Sequence, residues 1–194
     1  MENVLDEPRF DYDSFEKDLY EEVCRKIGNQ ENKDDIYAFS IDYFPEYTTY
    51  ISLMKNTYSN LKKAPATDRT DLMYYKYCEE EWGIWDKFDM LSEQLVRYYD
   101  AMEEWGNSDD DEECLRMEEI YGQHKQKIIS LCVGVLQRVK KSPEYASYQK
   151  LNLNVHVREG FAPEEEIEIY KKLNNEEAVE EYRVFLYGET DKND

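Results

Sequence analysis

The chain has 194 residues, of which 41% are hydrophobic and 36% charged, and its 24 basic and 45 acidic side chains give a formal net charge of −21. This length suits one domain that can fold without a disulfide or a metal. Such a large negative charge argues against binding to a nucleic-acid backbone or an anionic membrane, since both require a positive patch, and it favours solubility or attraction to a basic partner.

The N-terminal part predicts a helix followed by a β-hairpin. Phe15, Leu19, Val23 and Ile27 recur every four residues, so the helix begins near Asp13 or Ser14 and ends at Gly28-Asn29. Next, β-branched and aromatic residues lie on both sides of Pro45 and predict strands over 36–44 and 47–54. On the first strand we expect the larger apolar face to pack against helices; it consists of Tyr37, Phe39, Ile41 and Tyr43.

In the middle of the chain, sequence patterns that predict secondary structure weakly are followed by two that predict helices strongly. Asn56-Thr57 can cap a short helix over 58–63, and the aromatic and acidic stretch 71–85 predicts irregular structure with a short helical piece. A helical seam then follows in steps of three and four, through Phe88, Leu91, Leu95, Tyr98, Met102 and Trp105. A long helix is predicted over 112–141, with acidic residues at its start and basic residues at its end, as the helix dipole favours.

The C-terminal part predicts one more strand and two helices. Residues 151–157 alternate, with Leu151, Leu153, Val155 and Val157 toward the core, and helices are expected over 163–173 and 175–187. The predicted fold is therefore a single α+β domain, ordered over about 12–187 with flexible termini. Its antiparallel sheet, made of the hairpin 36–54 and the strand 151–157, packs against several helices, including the long helix 112–141.

Motifs for catalysis or metal binding are missing from the sequence. No Gly-rich phosphate loop, nucleophile elbow or H-E-x-x-H occurs, and the four cysteines form no C-x-x-C pair. We expect Cys24, Cys114 and Cys132 to be small buried residues, His124 to be a core or interface residue, and His156 to lie on the polar face of its strand. We therefore predict no catalytic residue, no metal and no cofactor. The N-terminus lacks the apolar run of a signal peptide and no segment is long and apolar enough for a membrane span, which predicts a cytoplasmic protein.

Two acidic stretches are candidate partner-binding surfaces. The first combines tryptophans with carboxylates, and the second is a run of five acids; the residues are Glu79, Glu80, Glu81, Trp82 and Trp85, and Asp109, Asp110, Asp111, Glu112 and Glu113. The alternatives are that Trp82 and Trp85 close the edge of the core while the glutamates face water, and that the acidic run is a solvated helix start.

Several segments resemble a bacterial family known as Domain of Unknown Function 4303. They are the stretch from Asp35 to Asp42, Asn56-Thr57, the run Tyr75-Lys-Tyr-Cys-x-x-Glu81-Trp82, and Leu173-Asn-Asn-Glu-Glu with Glu181-Tyr182-Arg183. The chain departs in having Lys76-Tyr77 where the family pattern has Arg-Trp, and in its acidity. The resemblance implies a small bacterial α+β protein with no established activity.

Three functions remain open at this stage. The first is a non-catalytic protein that binds a basic protein, most specifically an immunity protein that neutralises a toxin, by analogy with similar small acidic families. The second is an enzyme or small-ligand protein with a carboxylate-lined pocket near Asn56, Thr57 and Glu81. The third is an assembly subunit whose tyrosines form a homodimer face; the sequence does not determine the oligomeric state.

Overall fold

The computed structural model describes residues 7–45, 49–105, 111–148, 150–158 and 161–188, without the side chains of 111–113. A four-stranded sheet in the order β3-β2-β1-β4 lies at the centre. Its strands are β1 (Ile36–Phe44), β2 (Tyr50–Thr57), β3 (Trp85–Lys87) and β4 (Asn152–Val157). The helices are α1 (Tyr12–Gly28), α2 (Tyr58–Leu61), α3 (Arg69–Tyr77), α4 (Asp89–Trp105), α5 (Asp111–Val139), α6 (Pro143–Ala146), α7 (Pro163–Leu173) and α8 (Glu176–Tyr187).

The sheet is mixed, so the prediction of an antiparallel sheet is wrong although the α+β class is confirmed. β1 pairs antiparallel with β2, and β2 pairs antiparallel with β3, but β4 lies parallel to β1. Parallel neighbours require a long crossover connection. Helices α4, α5 and α6, between β3 and β4, return the chain to the end of the sheet at which β1 begins.

One face of the sheet carries the main hydrophobic core, beneath α1, α4 and α5. The four predicted apolar residues of α1 are fully buried there, together with Phe39, Ile41 and Tyr43 of β1. The apolar side of β4 is also buried, as its alternation predicted. The predicted long helix is confirmed as α5, which ends two residues earlier than expected, at Val139.

A bulge in β1 changes the face on which Tyr37 lies. Ile36 pairs with Thr57 and Ala38 pairs with Asn56, so β1 has one residue more than β2 at this point. Ile36 therefore packs in the main core, whereas Tyr37 packs with Met54 and Trp82 on the second face of the sheet. The prediction that Tyr37 shares a face with Phe39 is wrong for this reason.

The stretch 71–85 contains the short helical piece that was predicted and more regular structure than expected. It holds residues 71–77 of α3, a 3-10 turn at Glu79–Glu81, and the start of the edge strand β3. The Asp68 carboxylate starts α3 by accepting a hydrogen bond from the backbone N–H of Asp71. The second hairpin strand is β2, from Tyr50 to Thr57. Its predicted start at residue 47 lies outside the described residues.

Other predictions concern single residues and the ends of the chain. Cys132 is buried as expected, but Cys24 is only partly buried and Cys114 is exposed. Cys114 lies in the part of α5 over 114–123, where no residue is buried. Among the described residues, no helix has the length and hydropathy needed to span a bilayer. Residues 1–6 and 189–194, which belong to the predicted flexible termini, lie outside the described residues.

Candidate functional site

The second face of the sheet carries polar residues from three adjacent strands. Because side chains alternate along a strand, Ser40 and Asp42 of β1 point away from the main core. The register places Asp42 opposite Ser52 of β2 on one side and opposite His156 of β4 on the other. A parallel β4 is therefore what brings Asp42 and His156 together.

Glu79 reaches the same group from the 3-10 turn after α3. Its carboxylate accepts a hydrogen bond from the Asn154 amide at 2.7 Å, and the residue is only 4% exposed. Helices α7 and α8 close this side with a stacked tyrosine pair, Tyr170 and Tyr182, whose ring centroids are 4.2 Å apart. The Tyr182 hydroxyl donates to the Glu166 carboxylate at 3.0 Å. Three carboxyl groups from different elements thus lie around one imidazole.

Burial dominates the electrostatics of these three carboxyl groups. Desolvation raises the pKa of Asp42, Glu79 and Glu166 above the ordinary values, and in all three the charge of His156 opposes the shift. For Asp42, the Tyr50 hydroxyl and the Arg158 guanidinium oppose the rise in pKa as well, whereas the charge of Glu80 adds to it. His156 is therefore the cationic partner that the three acids share when its ring is protonated.

The distances within this group are slightly too long for direct hydrogen bonds. His156 Nδ1 lies 3.7 Å from Glu79 Oε2, and His156 Nε2 lies 4.0 Å from Asp42 Oδ1. Arg158 Nε lies 3.8 Å from the same Asp42 oxygen. Asp42 Oδ1, His156 Nε2 and Arg158 Nε are buried without a hydrogen-bond partner in the described part of the chain, as are the hydroxyls of Ser40 and Ser52. A small polar molecule between them can bond to several at once.

An aromatic shelf lies above Asp42 at the open end of this face. It consists of Phe44, Tyr50 and Trp85: the Phe44 and Tyr50 rings are stacked at 5.6 Å, and Trp85 lies 6.1 Å from Tyr50. The guanidinium of Arg158 lies 6.0 Å from the ring centroids of both Phe44 and Tyr50. Trp85 is 59% exposed. The site thus combines buried acids with an accessible aromatic surface.

This arrangement is suited to two kinds of chemistry. Carboxyl groups with raised pKa beside an imidazole are the kind of groups that acid–base catalysis uses. Tryptophan, tyrosine and arginine on one surface are the residue types that contribute most to protein–protein binding. No group of His, Cys, Asp and Glu suited to a metal ion occurs among the residues described.

A comparison with protein-family models identifies the family of the chain. The model of the domain of unknown function (DUF4303) matches residues 16–175. The chain belongs to the DUF4303 family. Comparisons with curated proteins and with solved structures give no significant match.

The predicted partner-binding residues of this DUF4303 protein divide into buried and accessible ones. Glu79 and Trp82 lie in the interior, which corrects their assignment to a contact surface. Glu80, Glu81 and Trp85 are exposed. The alternative, in which both tryptophans close the core edge, is right for Trp82 and wrong for Trp85, which lies on an edge strand.

The second predicted surface lies at the start of α5. Asp109 and Asp110 lie outside the described residues of the DUF4303 chain. Asp111, Glu112 and Glu113 form the first turn of the helix, and the structure describes only their backbone. Their role in binding therefore stays a prediction.

The residues predicted to line a small-ligand pocket form hydrogen bonds to other residues of the DUF4303 chain. Asn56 is buried; its amide donates to the Tyr75 carbonyl at 3.1 Å, and its oxygen accepts from the backbone N–H of Thr57 at 2.8 Å. Thr57 caps α2 through its hydroxyl, and Glu81 accepts a hydrogen bond from the Tyr74 hydroxyl. These bonds hold β2, α2 and α3 together, so Asn56 and Thr57 act as structural residues.

Sequence reasoning missed the residues at the centre of the DUF4303 site. His156 was predicted on the polar side of its strand, but its proximity to Asp42 depends on the pairing of β1 with β4. The available signal was Asp42 itself, because an aspartate within a strand of otherwise apolar and small residues is unusual. Arg158 follows β4 directly and had no signal of its own.

Proposed function

We propose that this chain is a non-catalytic acidic protein that binds a basic protein partner, and that its specific role is that of an immunity protein neutralising a toxin. The observation that carries the proposal is the exposed Trp85 on edge strand β3, next to exposed Glu80 and Glu81. A large exposed aromatic residue rimmed by charges is typical of a binding surface.

The charge of the chain supports a basic partner. With a net charge of −21, the protein attracts a cationic protein over a distance and raises its association rate, most strongly at low salt. The aromatic shelf then supplies the apolar area that gives a complex its lifetime. The negative charge thus speeds association, and the aromatic shelf slows dissociation of the complex.

Co-purification with the product of the neighbouring gene tests this function. We expect Trp85→Ala to weaken the complex by about 30-fold, the effect of losing a central aromatic contact of about 2 kcal/mol. Leu115→Ala is the matched control, because Leu115 is 66% exposed on α5 and far from the shelf in sequence. Reversing the charges of Glu80 and Glu81 should slow association and leave dissociation nearly unchanged.

Two results would refute the proposal. The first is a neighbouring gene unrelated to toxins combined with no binding of any basic protein at low salt. The second is a complex in which Trp85→Ala and Leu115→Ala have the same affinity, because binding would then not depend on the shelf.

A second function, an enzyme or a small-ligand protein, is favoured by the acids around His156. Asp42, Glu79 and His156 bring two carboxyl groups of raised pKa to one imidazole. Thermal-shift screening of the wild type against His156→Gln tests it. A compound that stabilises only the wild type would support a ligand site here, whereas equal responses of both proteins would count against it.

A further inference from the structure

A second concave site, separate from the shelf, lies between α4 and α5. The cleft has a volume of about 630 Å³, within the range of small-molecule sites. Its described lining includes Val96, Tyr99 and Asp100 of α4 together with Tyr121 and Lys125 of α5. Nothing in the proposed protein-binding function uses this cleft.

The walls of the cleft are apolar and aromatic. Tyr99 and Tyr121 stack almost in parallel, with their ring centroids 5.4 Å apart and an angle of 7° between the planes. The Tyr99 hydroxyl is fixed from below by the Tyr43 hydroxyl at 2.7 Å. Val96 and Met117 extend the apolar wall on either side of the tyrosine pair. An alkyl chain can pack along such a wall.

The charged residues of the cleft are separated along its length. Trp105 of α4 contacts Arg116 of α5, and Tyr99 contacts Tyr121, so the two helices run in opposite directions. Glu103 lies one helical turn from Tyr99 toward the loop, and Lys125 lies one turn from Tyr121 in the other direction. Measured along the helix axes, Glu103 and Lys125 are therefore about 12 Å apart. The cleft is negative at one end and positive at the other.

The carboxylates of Asp100 and Glu103 act directly on the tyrosine wall. Burial is the main cause that raises the pKa of the Tyr121 hydroxyl, and the charges of Glu103 and Asp100 raise it further. Within the described part of the chain, no ion pair neutralises Asp100, Glu103 or Lys125. A cation is therefore attracted to one end of the cleft and an anion to the other.

We propose that this cleft binds an aliphatic dipolar molecule, with its ammonium group at Asp100 and Glu103, its alkyl chain along Tyr99 and Tyr121, and its carboxylate at Lys125. The ligand class is thus that of amino acids whose amino and carboxyl groups are separated by a chain of methylenes. A simple cation satisfies only one end of the cleft and meets the repulsion of Lys125. A simple anion meets the repulsion of both carboxylates.

Gly122 allows the cleft to be blocked without a change in charge. It lines the cleft on α5, and a Cβ atom built on it meets nothing within 4 Å. Gly134 is a matched control: it lies on the same helix, its added Cβ also meets nothing within 4 Å, and it faces the groove between α5 and α7. Gly122→Phe fills the cleft, whereas Gly134→Phe adds the same ring elsewhere.

Titration calorimetry near physiological salt tests the proposal with three probes: ε-aminocaproate, hexylamine and hexanoate. For the wild type we expect one saturable site for ε-aminocaproate, binding about tenfold weaker for hexylamine, and no binding of hexanoate. Gly122→Phe should abolish the binding of ε-aminocaproate and Gly134→Phe should retain it. Lys125→Met should reduce its affinity to that of hexylamine.

The proposal is overturned if the wild type shows no saturable binding of ε-aminocaproate, or if Gly122→Phe binds it as well as Gly134→Phe does. Binding of hexylamine as tight as that of ε-aminocaproate also overturns it, because the site would then not be dipolar. If circular dichroism shows that Gly122→Phe is unfolded, the pair Asp100→Asn and Glu103→Gln replaces it, with an expected loss of about tenfold or more. All these outcomes are independent of Trp85, so they can be told apart from a failure of the protein-binding function.

Discussion

Replacing Asp42 with asparagine measures the energetic effect of the acid at the centre of the candidate site. Asp42 is 1% exposed, its Oδ1 has no hydrogen-bond partner in the described residues, and burial raises its pKa. A carboxyl group whose pKa is higher in the folded than in the unfolded chain binds its proton more tightly in the folded state. Its ionisation therefore destabilises the fold as the pH rises. We expect Asp42→Asn to increase the free energy of unfolding at neutral pH.

The size of the gain follows from the surroundings of the carboxylate. A buried acceptor that lacks a hydrogen bond costs about 1–3 kcal/mol. His156 and Arg158, at 4.0 and 3.8 Å, offset part of this cost. We therefore expect a gain of about 1 kcal/mol, the lower end of that range. Urea denaturation at several pH values measures it. The gain should shrink as the pH falls and disappear below about pH 3, where the wild-type carboxyl is protonated in both the folded and the unfolded state.

Asp71 provides a control of opposite sign. Its carboxylate accepts hydrogen bonds from the side chain and backbone of Thr67, which lower its pKa. This group stabilises the fold above the unfolded pKa, so Asp71→Asn should reduce stability at neutral pH, and the loss should fade on acidification. If Asp42→Asn behaves like Asp71→Asn, Asp42 is a stabilising partner of His156 and Arg158, and the argument from desolvation is refuted.

Three further predictions concern the core and α5. Burial lowers the pKa of His124 to about 4, so between about pH 7 and about pH 5 only the unfolded chain takes up a proton at this position. Over this range the free energy of unfolding of the wild type should fall by about 2 kcal/mol relative to that of His124→Phe. Urea denaturation measures it, and an identical change with pH in both proteins would contradict the prediction. Leu95 is fully buried, so Leu95→Ala should lower the free energy of unfolding by about 2–5 kcal/mol, whereas its exposed neighbour Val96 should tolerate alanine with about 0.5 kcal/mol or less. Gly122→Ala should raise the melting temperature through a gain of about 0.5–1 kcal/mol, since its Cβ meets open space; a loss would show that the helix needs glycine there.

The candidate site shows how far sequence reasoning reaches. It placed Glu80, Glu81 and Trp85 on an accessible surface, because charged residues beside tryptophans are typical of one. It placed Glu79 on the same surface, although the structure buries this carboxylate against Asn154. The difference lies in the 3-10 turn, which directs successive glutamates to different sides of the chain. Composition alone does not distinguish them.

The sequence by itself determined the local elements of this protein. Periods of two and of three to four residues are properties of neighbouring positions, so α1, α4, α5, β1 and β4 could be predicted, together with the buried faces of α1 and β4. Only the tertiary structure decided that β4 lies parallel to β1, that Tyr37 changes face at a bulge, and that Asp42 meets His156. These features depend on pairing between residues far apart in the chain, and local periodicity carries no information about such partners.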